Sequence, residues 1–512
     1  MNRFRLNVIN NSQLIGYLKE VSIMTIKLRY LSIILLITIY QTLWAAQPIS
    51  LNSADEYRIK SPQTHEKFIS LADIHFDPFA ACKRAPRPCA MLQKLRAADY
   101  KSWNVILASN GMPMSSYGED TNYPLLQSTL MELKKINTNS NPQFVLILGD
   151  FLAHSFREKY NKYSSDTSSE SYHQFVNKTL QFLTDQLHQT FPNVNVYPLL
   201  GNNDTLTNDY DVVPNGLFLH DAANAWSLLI KDKANRNAFL MTFPQNGYYA
   251  VTLPQQQKIL MLDTVLFSSH TSNRVMTLAA NNQMEWLKQQ LALAKKQNRH
   301  VILACHIPVG VDIFTSFKLY FLFIKGFWQT SYSAEFQQLM QQYADIVIAI
   351  LPAHIHMDAF QSIPDTNIPV IFTPSISPIF GNNPGFKEFT YDPHTLSLDN
   401  YVTYYLDNTA MISDWRLEYN FNQVYQHDCE PSCSLIHGIR NLSVNNRLAL
   451  DYQQFFSVGH HSQPITKDHY WQSYYWCGIH NITKVAYKTC LGAADKGADY
   501  HNVMRLLKRS VI

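Results

Sequence analysis

Seven side chains of metal-ligand type recur along this chain, each just after a short apolar run. They are Asp73 and His75 (ADIH), Asp150 (LGD), Asn202 (GNND), His306 (CHIP), and His354 with His356 (AHIH). An Asp-x-His pair at a strand end puts both side chains on one side of a loop, so Asp73 and His75 can share one ion. Gly149 lets the backbone turn sharply and frees the Asp150 carboxylate to bridge. Asn202 offers a neutral carbonyl oxygen. His354 and His356 lie two apart on an extended segment, so both reach the same cluster. Mixed nitrogen and oxygen ligands favour zinc, with manganese or iron next, over magnesium or calcium. Two such ions about 3.5–4 Å apart can clamp a phosphoryl group and activate a water. Any one piece has an ordinary explanation, a loop accident or a satisfied core histidine. Their order and common strand-end placement predict a two-metal phosphate-ester hydrolase.

The elements that must position these ligands read as short buried strands. Phe68–Leu71, Phe144–Leu148, Asn195–Leu200, Lys258–Asp263, Val301–Ala304, Ile346–Leu351 and Val370–Thr373 are rich in Val, Ile, Leu and Phe. Near-continuous apolar runs suit strands covered on both faces. Tyr123–Ile136 and Gln283–Gln297 carry apolar residues at helical spacing, with Asn282 as N-cap of the second. Strands alternating with helices imply an α/β sandwich, with the site at the carboxyl ends of its strands. Asn161–Ser171 reads as a mobile polar loop, and residues 205–235 as a long polar connection. Ile313–Trp328 is unusually apolar. It reads either as a buried helix or as a hydrophobic lip making transient membrane contact. After residue 425 the composition shifts toward His, Tyr, Trp and Cys, which marks 426–512 as a Cys-containing subdomain behind a catalytic domain of 46–425.

Lys27 and Arg29 precede an apolar run from Leu31 to Ile39, and Ala45 and Ala46 follow. This is a signal-peptide pattern over residues 1–45, with translation starting at Met1 or Met24. The leader holds five basic residues against Glu20, so the net charge of +3 falls to −1 without it. No nucleic-acid-binding stripe is visible. Export fits the cysteines. Cys82 with Cys89, Cys429 with Cys433, and Cys477 with Cys490 are neighbours suited to local disulfides, although six cysteines allow fifteen pairings. Cys305 is left over and expected to be buried and unpaired. His427, Cys429, Cys433 and His437 could instead form a structural zinc site. The chain is expected to be secreted or periplasmic, or lysosomal or extracellular in a eukaryote, and to act as a monomer. Asn177, Asn203, Asn441 and Asn481 are glycosylation sequons, and a glycan at Asn203 would block the site.

The order DxH…GD…GN…H…HxH resembles the calcineurin-like metallophosphoesterases. His154 after Asp150 (GDFLAH), Asp358 after the histidines (HIHMD), and the NNPGFKEFTYDP and DWRLEYNF segments narrow the resemblance to the acid sphingomyelinase-like phosphodiesterases. It spans about residues 66–490. It implies an α/β metallophosphoesterase-type β-sandwich flanked by helices. It also implies one metal on Asp73, His75 and His356, the other on Asn202, His306 and His354, with Asp150 bridging. His154 would face the phosphate as the catalytic proton donor, with Asn203 beside the substrate, and Pro384–Gly385 would form a turn near the site. The family usually has His where Asn203 stands. An amide cannot relay a proton, and loss of a general acid costs about 10²–10⁴-fold for a poor leaving group. A GNND sequence also resembles the endopolyphosphatase-like branch, which shifts weight toward phosphoanhydrides or nucleotides. The expected substrate is thus a small phosphodiester, a nucleotide, polyphosphate or a lipid headgroup. Ala353 replaces a usual glycine and requires only a negative φ there. A non-catalytic, metal-binding interaction protein of the same fold is the alternative, on the strength of Asn203 alone.

Overall fold

A computed structural model describes residues 65–494 apart from 272, 320, 322, 409–413, 427–433, 443–445 and 461–471. The leader and the Cys429–Cys433 pair, with its rival zinc site, lie outside the described residues.

Two six-stranded sheets form the centre. The strands of the first are β1 (Glu66–Leu71), β2 (Phe144–Ile147), β3 (Asn195–Pro198), β10 (Gly385–Tyr391), β11 (Leu398–Leu406) and β12 (Trp415–Asn420), in the spatial order β12-β11-β10-β1-β2-β3. The second holds β4 (Tyr249–Thr252), β5 (Lys258–Leu262), β6 (Val301–Cys305), β7 (Val347–Leu351), β8 (Phe360–Ser362) and β9 (Pro369–Ile371), in the order β4-β5-β6-β7-β9-β8. β1, β2 and β3 run parallel, as do β5, β6, β7 and β9. Every residue of β2 and of β6 is buried. Both faces are therefore covered, which is why these strands read as unbroken apolar runs rather than alternating ones.

All seven candidate ligands follow the carboxyl ends of β1, β2, β3, β6 and β7, so the two sheets present them toward one another. Hydrogen bonds stitch the two sets of loops together. His306 Nδ1, after β6, donates to Leu148 O, after β2, at 2.7 Å. His354 N, after β7, donates to Asp73 Oδ2, after β1, at 3.3 Å.

Several boundaries differ from the sequence expectation. The helix expected from Gln283 begins at Arg274 and is capped by Asn273, whose side chain accepts from Met276 N. Asn282 is interior to it, because capping depends on where the chain leaves the preceding loop. The expected mobile loop Asn161–Ser171 is mostly the ends of two helices, Phe156–Tyr163 and Ser169–Thr190, with Ser168 capping the second. The polar connection 205–235 encloses the helix Leu217–Trp226. Gly385 is no turn residue but opens β10, and the turn lies upstream, where Gly381 N donates to Pro378 O. Ile313–Trp328 is not one buried helix. It holds the short helix Ile313–Lys318, after which Leu319 and Phe323 are exposed while Trp328 is buried.

Cys82–Cys89 and Cys477–Cys490 are disulfide-bonded, and Cys305 is buried and free. The second disulfide ties helix Gln472–His480 to helix Lys484–Ala494. Among the described residues no helix is long and apolar enough to cross a membrane. Asn177 lies inside helix Ser169–Thr190 and Asn203 is buried, so neither sequon presents an open loop.

Candidate dinuclear metal centre

The loops that carry the ligands are held in uncommon backbone conformations. Asp73, His75, Asp150, His354 and His356 have φ of 50°, 44°, 57°, 73° and 65°. Each such residue costs on the order of 1–3 kcal/mol unless its surroundings over-determine it. Here they do: Asp73 N donates to Gly149 O, His75 N to Asp150 O, and Ala353 N to His306 O, all within 3.0 Å. Ala353 is tolerated because the left-handed turn falls on His354 instead.

The seven side chains converge. Asp150 Oδ2 lies 3.3 Å from His75 Nε2 and 3.3 Å from His306 Nε2. On one side, Asp73 Oδ1 is 3.4 Å from His356 Nε2, and His75 Nε2 is 3.2 Å from His356 Nε2. On the other, Asn202 Oδ1 is 3.0 Å and His354 Nδ1 3.3 Å from His306 Nε2. Two ligand sets therefore flank one shared carboxylate. The Nδ1 atoms of His75 and His306 point at Leu152 O and Leu148 O, which orients both rings with Nε2 turned inward. Asp73 Oδ1 is buried without a hydrogen-bond partner. Inward nitrogens and an unpaired carboxylate oxygen are the donor set that divalent cations require.

The electrostatics agree. Burial alone would lower the His75 and His306 imidazoles, but Asp150 together with Asp73 and smaller contributions outweighs it and pushes both up to about 9. Burial and the facing His306 drive His354 down to about 3. Burial and His75 push His356 well down as well. The cluster thus favours positive charge around Asp150.

Further residues hold this arrangement, and of these Asp120, Lys159, Asp204 and Asp209 carry little or no signal in the sequence, whereas His154 and Asn203 stand where the motifs place them. Asp204, the last residue of GNND, accepts from the backbone N–H groups of Gly201, Asp150, Phe151 and Leu152 at 2.8–3.2 Å, locking the β2 and β3 turns together. Asp209 accepts from Asn202 Nδ2 at 2.7 Å and so turns Asn202 Oδ1 toward His306. His154 Nδ1 pairs with Asp120 Oδ1 at 2.8 Å, and Lys159 Nζ donates to Asp120 Oδ2 at 2.8 Å. The His154 ring stacks on His75 with centroids 4.0 Å apart. His154, His75 and His356 also have ligand atoms within 4.8 Å of one another, so geometry permits His154 as a ligand too. Asn203 donates twice to Asp150, from N to Oδ1 at 2.8 Å and from Nδ2 to Oδ2 at 2.9 Å.

The "Calcineurin-like phosphoesterase" family model matches residues 67–358, more than half the chain. The chain belongs to the calcineurin-like phosphoesterases. The "Acid sphingomyelin phosphodiesterase C-terminal region" matches residues 366–496 and places it in the acid sphingomyelinase-like phosphodiesterase branch, which hydrolyses phosphoric esters. It is similar to sphingomyelinase phosphodiesterase D of Dictyostelium discoideum, 29% identical over 335 residues, covering 63% of this chain and 69% of that protein. It is also similar to human cyclic GMP-AMP phosphodiesterase SMPDL3A, 25% identical over 453 residues, covering 84% and 91%. Mouse acid sphingomyelinase-like phosphodiesterase 3b is 23% identical over 445 residues, covering 83% and 90%.

A buried carboxyl beside this phosphoesterase centre has a pH consequence. Asp263, at the end of β5, is fully buried, and burial pushes it up to about 8 from 3.8. The folded chain then holds a proton that the unfolded chain releases, so its stabilising contribution is lost as pH rises from about 4 to about 8. The slope is at most about 1.4 kcal/mol per pH unit. Asp263→Asn is expected to flatten this dependence, raising Tm relative to wild type at pH 8 but not at pH 4, as measured by calorimetry across that range.

Proposed function

We propose that this exported phosphodiesterase works with two divalent ions, zinc or else manganese or iron, sharing Asp150. The observation that carries the reading is the single oxygen Asp150 Oδ2, 3.3 Å from one imidazole of each ligand set. Two ions bound there would supply charge neutralisation at the phosphoryl oxygens and an activated water nucleophile. Asp73, His75 and His356 hold one ion, and Asn202, His306 and His354 the other. Asp209 keeps the Asn202 oxygen turned inward. Asn203 holds Asp150 in its bridging position and stands beside the substrate. His154, steered by Asp120, offers its Nε2 to the leaving oxygen, and Lys159 keeps Asp120 charged.

Asp150→Asn is the direct test, assayed on bis-p-nitrophenyl phosphate with metal analysis alongside. The expected result is a loss in kcat of about 10²–10³-fold, in line with removing one preorganised electrostatic group. Wild-type turnover in that variant would sink the two-metal reading. Two metals in the wild type without turnover of phosphodiesters, nucleotides or polyphosphate would favour the non-catalytic alternative.

The role of His154 separates from ligation by a second variant. His154→Gln is expected to keep two metals per chain. Its rate on an alkyl phosphodiester should fall by about 10²-fold or more, and much less on p-nitrophenyl esters, whose leaving group needs no proton. A stoichiometry of one metal would assign His154 to ligation instead.

The physiological substrate is proposed to be a small phosphodiester or phosphoanhydride, and the active unit a monomer. Phe314, which lines the cavity, and Leu319 and Phe323, which follow it in the chain, are exposed and support transient contact with a membrane surface.

A further inference from the structure

The cavity that opens on the metal ligands does not stop at them. Its volume is ≈ 290 Å³, and it continues from His354 and His356 into a limb walled by Met357, Ala359, Phe360, Phe456, Tyr475 and Ile479. These six are almost fully buried. The limb is built from three places. The chain running from His356 into β8 supplies its floor, helix Asn446–Phe456 one wall, and helix Gln472–His480 the other. The second helix is fixed by the Cys477–Cys490 disulfide. The limb is therefore part of the folded architecture rather than a gap between loops.

Tyr452 and Tyr475 bring hydroxyl groups to this largely apolar space, and β8 brings an amide. Gln361, on β8, is only 7% exposed, and its Oε1 is buried with no hydrogen-bond partner among the described residues. An amide oxygen left unpaired in an apolar wall is destabilising, because it forfeits the hydrogen bonds that water would give it. Such a group is retained where a ligand completes it, and pockets of this kind are mostly apolar with a few placed polar groups. The nearby Gly310 has φ 132°, and a Cβ built there would meet the Gln361 carboxamide at 3.5 Å, so the neighbouring loop packs against the amide without pairing it.

We infer that this limb is the leaving-group subsite, and that it takes an apolar body carrying one N–H donor, which Gln361 Oε1 accepts. The inference rests on the phosphodiesterase reading of the adjoining metal ligands. The phosphate lies at Asp150 and the histidines, and the departing alcohol runs along the limb to Gln361. Two sources share this chemistry: the amino group of a nucleobase, flat enough to lie against Phe360 and Phe456, and the amide of an N-acyl lipid.

Direct binding tests the limb independently of catalysis. Adenosine, N-octanoylethanolamine and methyl octanoate, which lacks a donor, would be titrated calorimetrically into the full chain with EDTA present, so that the result does not depend on metals or turnover. We expect one of the two donor-bearing probes to bind wild type at least tenfold tighter than methyl octanoate. Adenosine as that probe identifies a nucleobase, and the amide identifies a lipid. Gln361→Met, close in shape but without the acceptor, should weaken it about tenfold. Ala359→Phe, which fills the limb, should abolish it, while the circular dichroism and Tm of both variants show that they fold. No binding of either donor-bearing probe, or equal affinity in wild type and Gln361→Met, overturns the inference. Failure of the phosphodiesterase reading would appear separately, as a wild type inert toward bis-p-nitrophenyl phosphate.

Discussion

Gly201→Ala is expected to remove about 10³-fold or more of the phosphodiesterase activity, and to cost the protein bound metal, although residue 201 is not a ligand. A Cβ at residue 201 would stand 2.0 Å from Asp150 Oδ1, 2.3 Å from Asp150 N and 2.5 Å from Asp150 Cγ. A flexible side chain could swing aside, but Asp150 is not free to do so. Asn203 holds both of its carboxylate oxygens, and Asp204 holds its backbone N–H. The facing Gly149 sits at φ 87°, and a Cβ there would meet Gly201 N at 2.6 Å, so the β2 and β3 turns are already in backbone contact. The added methyl must therefore push the turns apart and carry Asp150 Oδ2 away from His75 and His306. A displacement near 1 Å at such a centre costs about 10²-fold in rate through geometry alone. Loss of the shared carboxylate's field adds about 10²–10³-fold at most. The check is kcat/KM on bis-p-nitrophenyl phosphate together with metal content by mass spectrometry. Gly201→Ala with two metals and wild-type turnover would show that Asp150 does not act from the position described.

This contrast shows which parts of the centre can be read from a sequence. The ligands were legible because each is a distinctive residue type directly after an apolar strand. The parallel strands advertise themselves as continuous apolar runs, since both faces are covered. Asp120 was not legible. Its pairing with His154 crosses 34 residues, and a lone Asp before the helix at Tyr123 has nothing to mark it. Asp209 lies in a polar stretch where its pairing with Asn202 looks like any other loop residue's. Asp204 had a motif but no evident task, because its four backbone donors belong to two different strand ends. Helix starts failed for a related reason: Asn282 and Asn273 are equally good caps locally, and only the packing of the helix on β5 and its neighbours chooses between them. The apolar run at Ile313–Trp328 misled by composition. Its residues divide between the cavity wall, the core and the surface, which no single periodicity describes. Gln361 was invisible for the same reason as Asp120, since an ordinary β-strand glutamine becomes notable only when its surroundings are known.

Lys387→Met is expected to destabilise the fold by about 3–5 kcal/mol, the cost of stranding one partner of a buried ion pair. In a chain of this size that corresponds to a fall in Tm of about 3–5 °C. Lys387, on β10 of the first sheet, is fully buried, and its Nζ lies 2.7 Å from both carboxylate oxygens of Asp358. Thr403 and Tyr419 complete the carboxylate at 2.7 and 3.1 Å, and the ammonium sits 4.0 Å from the Tyr401 ring centroid. Methionine fills the volume of the lysine stem but leaves Asp358 charged in an apolar interior, close to Glu418, whose carboxyl burial already raises well above the usual range. Lys387→Met/Asp358→Leu removes both charges and should recover most of the lost Tm, because well-packed apolar pairs commonly equal buried ion pairs in stability. Metal affinity should behave differently. Asp358 lies two residues beyond His356, so the ion pair ties the His354–His356 loop of the second sheet to a strand of the first. If that tie sets the loop, the double variant regains its Tm yet still binds metal more weakly than wild type, by about tenfold in competition with a chelator. Equal metal affinity in the double variant and wild type would reduce the pair to a structural contact, leaving the ligand loop held by its backbone hydrogen bonds alone.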